Sequence, residues 1–258
     1  MEVIIKKDFE EMSLAGARVV AKVINGKPNA VLGLAAGETP LGLYKELIRM
    51  HQEEGLDFSQ VRTFNLDEYV GLPKHHPQSY YYFMHENLFK FINIPKHNIH
   101  IPSGTTDNYA AFCRWYEERI AECGGIDLQI LGIGTDGHIA FNEPGSSLGS
   151  RTRIKTLSKT TVDENSTLFD SVEDVPLYAI TMGVGTILEA RKTLLLASGP
   201  KKAKPVAAAI EGPITSMITA SALQLHREAM CILDQEAATD LKLQNYYKWV
   251  QDKMPDAP

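Results

Sequence analysis

A chain of 258 residues, 44% hydrophobic and 22% charged, has the length and composition of a soluble α/β protein with a well-buried core, which excludes a disordered or fibrous role. Thirty-two acidic against 26 basic side chains give a net charge of −6 with no long Lys/Arg run, which argues against nucleic acid or a membrane surface as partner. No apolar stretch is long enough to span a bilayer, the N-terminal MEVIIKKDFEEM lacks a signal-peptide core, and three cysteines (Cys113, Cys123, Cys231) without a CxxC read as reduced thiols, so a cytoplasmic protein with no disulfide framework and no zinc site is expected.

Asp8 and Glu11 make a capping-box pattern, and Met12, Ala15, Val19, Val23 and Ile24 follow at helical spacing, predicting a first helix with one apolar face. Residues 30–34 are a short apolar run that reads as a buried strand; a helix is predicted over 39–54 and a second strand over 61–66. An aromatic-rich helix is expected over 78–91, and another over 107–123, ended by Gly124 and Gly125. Strands are predicted at 126–132, 192–198 and 230–233, with helices at 201–210 and 236–253. Apolar strands alternating with helices imply a single-domain, Rossmann-like three-layer α/β sandwich over 1–258, its central sheet mostly parallel and covered by helices on both faces. Such sheets bind ligands at the carboxyl ends of their strands.

Four strand-end or near-strand segments carry polar residues. Ala36, Gly37, Glu38 and Thr39 join the first buried strand to a helix, as a tight turn or as an anion cradle of backbone N–H groups; the Lys of a nucleotide P-loop is missing. Asp67 and Glu68 follow the second strand, where one can serve as a general base or both as capping and solvated carboxylates. Gly132, Gly134 and Gly137 satisfy GxGxxG, but Pro144 and Gly145 leave no room for the long helix a dinucleotide needs. What remains there is Asp136, His138 and Glu143 within eight residues. The two carboxylates can hold the imidazole in one tautomer and favour its charged form, preparing a proton shuttle, or all three can be structural. With no second His or Cys nearby, a zinc site is not expected. Finally Arg151, Arg153 and Lys155 alternate beside Ser146 and Ser147, as a second phosphate site or as a solvated basic edge strand.

The blocks LGLAAGETP, FNLDEYVGLP, SYYYFM, GTDGHIAFNEPGSSLGSRTRIKTL and ITMGVGTIL, in this order, resemble the glucosamine-6-phosphate deaminase family; more distantly the chain is similar to 6-phosphogluconolactonases and galactosamine-6-phosphate isomerases. The resemblance implies an enzyme that converts glucosamine 6-phosphate and water to fructose 6-phosphate and ammonia without metal or organic cofactor. It implies Asp67 as general base between C2 and C1, His138 in opening of the pyranose ring, and Asp136 and Glu143 as partners of that imidazole. Ala36, Gly37, Glu38, Thr39, Gly137 and Lys202 fall on substrate-binding positions, and Ser146, Arg153 and Lys155 on an allosteric site of hexameric members; residues 157–180 correspond to a mobile lid. The implied partner is a small amino sugar phosphate, and the assembly a monomer or a homo-oligomer up to a hexamer. Two positions depart from the family pattern. Glu38 adds a negative charge to the phosphate loop, and Thr167 stands where the family has a phosphate-binding Arg. Either another basic side chain, such as Lys201 or Lys204, compensates, or the substrate is a different amino sugar, one without a 6-phosphate included.

Overall fold

A computed structural model describes residues 1–253. In chain order the elements are β1 (Glu2–Lys6), α1 (Phe9–Gly26), β2 (Val31–Leu34), α2 (Leu41–Glu54), β3 (Arg62–Asn65), β4 (Asp67–Tyr69), α3 (Tyr80–Asn87), β5 (Ile99–His100), α4 (Tyr109–Glu122), β6 (Leu128–Leu131), β7 (Arg153–Thr156), α5 (Lys159–Asn165), β8 (Tyr178–Thr181), α6 (Val184–Leu188), β9 (Lys192–Ala197), α7 (Ala203–Glu211), β10 (Ala229–Asp234) and α8 (Gln244–Lys253). Seven strands pair in the order β1-β10-β9-β6-β2-β3-β5, every pair parallel. A small antiparallel sheet, β4-β8-β7, stands beside them.

Strand alternation builds two cores. Ile4, Leu32, Leu34, Leu196 and Ile232 face one side, where they meet Met12 of α1 and Leu43 and Leu47 of α2. Their neighbours Val3, Ile5, Val31, Ala197 and Cys231 face the other, against Tyr116 of α4 and Val206 of α7. This is the expected three-layer sandwich: the central strands are buried on both faces, so they run largely apolar. Asp8 caps α1 as predicted, its Oδ1 accepting from Glu11 N at 3.0 Å.

At the amino ends of β2 and β6 the buried Asp127 carboxylate ties the layers together. It accepts from Val31 N at 2.8 Å, from Lys27 Nζ at 2.8 Å and from Arg191 Nη1 at 3.2 Å. Asp127→Ala leaves a buried N–H without an acceptor and two cations without a counter-charge. The variant is expected to lose about 3 kcal/mol, read as a denaturant midpoint that falls with the m-value unchanged.

Several predicted elements need correction. β1, β4, β5, β8, α5 and α6 are not among the expected elements: β4 and β8 are short strands of the second sheet, β5 has two residues, α5 and α6 are short helices, and β1 lies in the charged N-terminal stretch. The aromatic helix stops at Asn87, where Leu88 turns to φ −146°, and a 3₁₀ turn covers Phe89–Phe91. The closing helix does not begin at 236. Asp234 Oδ1 accepts from Ala237 N at 2.7 Å and holds a series of turns, and α8 starts only at Gln244. Arg151 lies outside β7, bound to Glu117 and Glu189 at 2.5 Å each, so it does not share a strand face with Arg153 and Lys155.

Candidate active site

Four neighbouring parallel strands, β9-β6-β2-β3, end on the same side of the sheet, and each sequence segment singled out above except the basic strand leaves one of those ends. The chain order runs away from β2 in both directions, through β3 on one side and β6 on the other, so the crevice for a ligand lies between the ends of β2 and β6. The ends of β3 and β6 are two interstrand spacings apart, about 10 Å, the width of a small sugar.

The β2 loop is the first wall. Tyr44 of α2, fully buried, donates to the Ala35 carbonyl at 2.6 Å and pins the strand exit. Gly37 takes φ 116°, a conformation open to glycine, and the loop closes through Leu41 N to Glu38 O at 3.1 Å. Ala36, Gly37 and Thr39 are half-buried and Glu38 is exposed. No side chain caps α2, whose N-cap residue Pro40 carries no N–H.

From β3 the chain passes through Leu66, whose N–H donates to Leu34 O and whose carbonyl accepts from Met182 N, directly into Asp67. The two adjacent carboxylates divide their roles. Glu68 Oε1 accepts from Tyr69 N and Tyr80 N, and its Oε2 from Tyr81 N, each at 2.9 Å, so Glu68 caps α3. Asp67 makes no such bond to any described side chain or backbone group. It is 7% exposed, and burial, with the Glu68 charge adding to it, pushes its carboxyl up to about 8.

From β6 the glycine-rich turn brings His138 back over its own start. Gly134 N donates to His138 O at 2.9 Å, and a Cβ on Gly134 would lie 2.4 Å from the imidazole Cε1. Only glycine lets the ring lie there. Asp136 Oδ1 accepts from His138 N at 3.1 Å and stands 2.7 Å from Nδ1, short but off the line of the N–H; Glu143 Oε2 is 3.7 Å from the same nitrogen. Burial pushes Asp136 up, but the bonds and charge of His138 outweigh it and hold this carboxyl below the ordinary range. Ala140 adopts φ 51°, a left-handed backbone that an alanine takes at a cost; such strain concentrates at working sites. Asn142 locks the turn beyond it, donating to Ile139 O and Met182 O and accepting from Arg153 Nη1. Thr181, the register partner of Asp67, accepts from Phe141 N at 3.0 Å, which ties the base and imidazole segments together.

The fourth wall follows β9. Asp234 accepts from Ser198 Oγ and Gly199 N and sets the turn that carries Lys202. Lys202 is lowered by burial, while Glu164, Asp136 and Glu38 act on it in the opposite sense. Residues 157–180 contain α5 and two 3₁₀ turns; Leu157, Val162 and Val175 pack in one cluster with Tyr69 and Phe141. Thr167 is exposed and its hydroxyl bonds only to the Glu164 carbonyl.

The predicted catalytic and substrate residues therefore gather along one sheet edge. The predicted second phosphate site is elsewhere. Ser146 is buried, Lys155 half-buried, and Arg153 turns toward Asn142; a surface hollow of about 600 Å³ between α4 and β7 is lined in part by Arg114, Arg151, Arg153 and Ile154. Residues not singled out in the sequence are Thr135, Glu164, Ser158 and Thr161. Thr135 bonds Glu164 of α5, and Ser158 and Thr161 bond Glu143. The Ser158 N-cap pattern was readable; its long-range partner was not. Ligand atoms of Asp136, His138 and Glu143 lie within 4.8 Å of one another, close enough to share one proton or one cation. Among the described residues no helix is long and apolar enough to cross a membrane.

Residues 9–232 match the family described as glucosamine-6-phosphate isomerases/6-phosphogluconolactonase. A glucosamine-6-phosphate deaminase of Thermoanaerobacter sp. (strain X514) is 52% identical over 239 residues, 93% of this chain and 94% of that protein. One of Hahella chejuensis is 52% identical over 253 residues, 98% of this chain and 97% of its own. The solved structure of a monomeric glucosamine-6-phosphate deaminase superposes with a TM-score of 0.91 at 45% identity, over 93% of this chain and 100% of that one. A Trypanosoma brucei 6-phosphogluconolactonase, 22% identical with a TM-score of 0.74 over 93% of this chain and 98% of its own, shares the fold. With a strand-end carboxylate, a carboxylate-flanked imidazole and this extent of similarity, the chain belongs to the glucosamine-6-phosphate isomerase/6-phosphogluconolactonase family.

Proposed function

We propose that this protein is an amino-sugar-phosphate deaminase and isomerase that converts glucosamine 6-phosphate and water to fructose 6-phosphate and ammonia. The observation that carries this is the division of labour between Asp67 and Glu68: one carboxylate is spent on capping α3, and the other stands buried and unbonded at a strand end with its carboxyl pushed up to about 8. A base poised near neutrality suits abstraction of a weakly acidic proton α to a carbonyl or imine. His138 opens the pyranose by taking the O1 proton and returning one to O5. Asp67 then moves a proton from C2 to C1, and water adds at C2 as the amine leaves. Asp136 and Glu143 orient the imidazole. The N–H groups of the 36–39 loop, the Gly137 backbone and Lys202 hold the phosphate. The same deaminase name in relatives about 50% identical over nearly the whole chain supports this assignment.

The phosphate end also supports a second reading, a deaminase of an unphosphorylated or otherwise different amino sugar. Lys202 works there against Glu38, Asp136 and Glu164, and Thr167 supplies no charge. Ammonia release is to be measured with glucosamine 6-phosphate, galactosamine 6-phosphate and glucosamine, together with turnover of 6-phosphogluconolactone. Release from the first supports the primary assignment; lactone turnover without ammonia rejects it. In the doubly substituted Glu38→Gly, Thr167→Arg protein, KM for the phosphorylated substrate is expected to fall by about one to two decades, because a charge-assisted bond is worth roughly 1.5–3 kcal/mol. An equal fall for glucosamine means that these positions do not read the phosphate.

A further inference from the structure

Glu143 is 4% exposed, and its two oxygens have different surroundings. Oε1 accepts from the Thr161 hydroxyl at 2.7 Å and from Ser158 N at 3.0 Å. Oε2 is buried, has no hydrogen-bond partner, and stands 3.7 Å from His138 Nδ1. Both donors stand at the N-terminal end of α5, the cap residue Ser158 and Thr161 of its first turn. Thr161 is itself buried, and its hydroxyl also lies 3.0 Å from that of Ser158, the residue that caps the helix. At its far end the same helix is fastened by Glu164 to Thr135, in the turn that carries His138. A seven-residue helix thus grips the imidazole turn at both ends.

We propose that Thr161 is a positioning residue for catalysis: its hydroxyl, with the Ser158 N–H, holds one oxygen of Glu143 so that the other faces His138, linking the placement of α5 to the proton affinity of the imidazole. The consequence for catalysis rests on the function proposed above. A carboxylate held by two donors keeps its charge and stays at 3.7 Å, near enough to bias the ring and too far to bond it. Without the hydroxyl, Glu143 either takes up a proton more readily or swings onto the imidazolium. Both outcomes raise the pH at which the pair becomes a neutral base with a charged partner. The other charged groups facing this pair are Asp136 at Nδ1, Glu164 through Thr135, and Lys202 from the β9 side, acting on Asp136. None of them is removed by a change at Thr161.

The test compares Thr161→Val, which keeps the shape and loses the hydroxyl, with Thr161→Ser, which keeps the hydroxyl. Thr161→Val is expected to lower kcat/KM about tenfold, as loss of a supporting bond to a working carboxylate does. It is also expected to move up by about one unit the lower acidic limb of the pH profile, where the imidazole pair takes up its proton beneath the limb set by Asp67. Thr161→Ser stays within about twofold of wild type with its limb in place. The titration of the His138 ring by NMR, assigned with His138→Asn and recorded without substrate, moves in Thr161→Val and not in Thr161→Ser. A role confined to folding lowers the melting temperature and the active fraction but leaves the limb and the ring titration where they were, and that result overturns the proposal. So does a Thr161→Ser protein that behaves like Thr161→Val. If the wild type releases no ammonia from any amino sugar, the proposed reaction fails, while the substrate-free titration still decides the role of Thr161.

Discussion

Asp67→Asn is expected to lower kcat by about a thousandfold, the order contributed by a positioned general base, and at the same time to stabilise the fold in alkaline solution. Both effects have one cause. Asp67 is taken out of water without a hydrogen bond or cation to replace the hydration, and Glu68 next to it adds repulsion, so the carboxyl is pushed from 3.8 up to about 8. In the unfolded chain it ionises near its ordinary value. Below that value both states hold the proton and burial carries no ionic penalty. As pH rises toward 8 the unfolded state sheds a proton that the folded state keeps, and stability falls; above 8 the loss is complete. Asn has no proton to lose, so its advantage over the wild type is absent near pH 4 and fully developed by pH 9. There a gain of about 4 °C or more in melting temperature is expected, as 1–2 kcal/mol produces in a chain of this size. The wild-type kcat/KM profile should rise through an acidic limb near 8, reporting the free enzyme. A variant with wild-type turnover, or one whose stability difference does not depend on pH, shows that Asp67 is not a buried base.

The strand-end positions of this site were legible before any coordinates because parallel α/β architecture fixes where chemistry belongs. Ala30–Leu34 is an apolar run and Ile126–Gly132 a mainly apolar one, each leading into small residues, and such segments become central strands with loops at one edge. The turn after β6 was also readable: Pro144 ruled out a nucleotide helix, and no helix follows His138. What stayed hidden depends on pairing over long sequence distances. Which of two adjacent acids stays unbonded could not be read from their spacing, and only the family resemblance pointed to Asp67; the N–H groups of Tyr80 and Tyr81, twelve and thirteen residues on, are reached by Glu68 and not by Asp67. The short strands β4 and β8 have too few residues for a period to show, and they form because they pair with each other and because β8 also pairs with β7. The overlong closing helix has the opposite origin. Residues 236–243 have helical composition, but Asp234 binds the backbone ahead of them and favours turns. Arg151 alternates with Arg153 and Lys155 in sequence, yet Glu117 and Glu189 draw it to α4 and the end of α6.

Removal of the imidazole is expected to be nearly as damaging as removal of the base, and in a way that separates the two roles. Asp136 and Glu143 both stand toward Nδ1, so in the proposed reaction Nε2 is the nitrogen left to exchange protons with the sugar. One nitrogen that first takes the O1 proton and then returns a proton to O5 explains why a single His at this edge suffices for ring opening. His138→Asn keeps a polar group of similar length but cannot relay a proton, and kcat is expected to fall about a hundredfold with KM changed little. In His138→Gly the vacated space is bordered by Gly134, which has no side chain to fill it, so added imidazole should restore part of kcat in a saturable, pH-dependent manner. The same addition should do nothing for Asp67→Asn, whose defect is the loss of a carboxylate at the next strand but one. Rescue of both variants, or of neither, means that the two segments do not divide proton transfer as their geometry implies. A wild-type kcat in His138→Asn removes the imidazole from the reaction, and the carboxylates around it would then be structural.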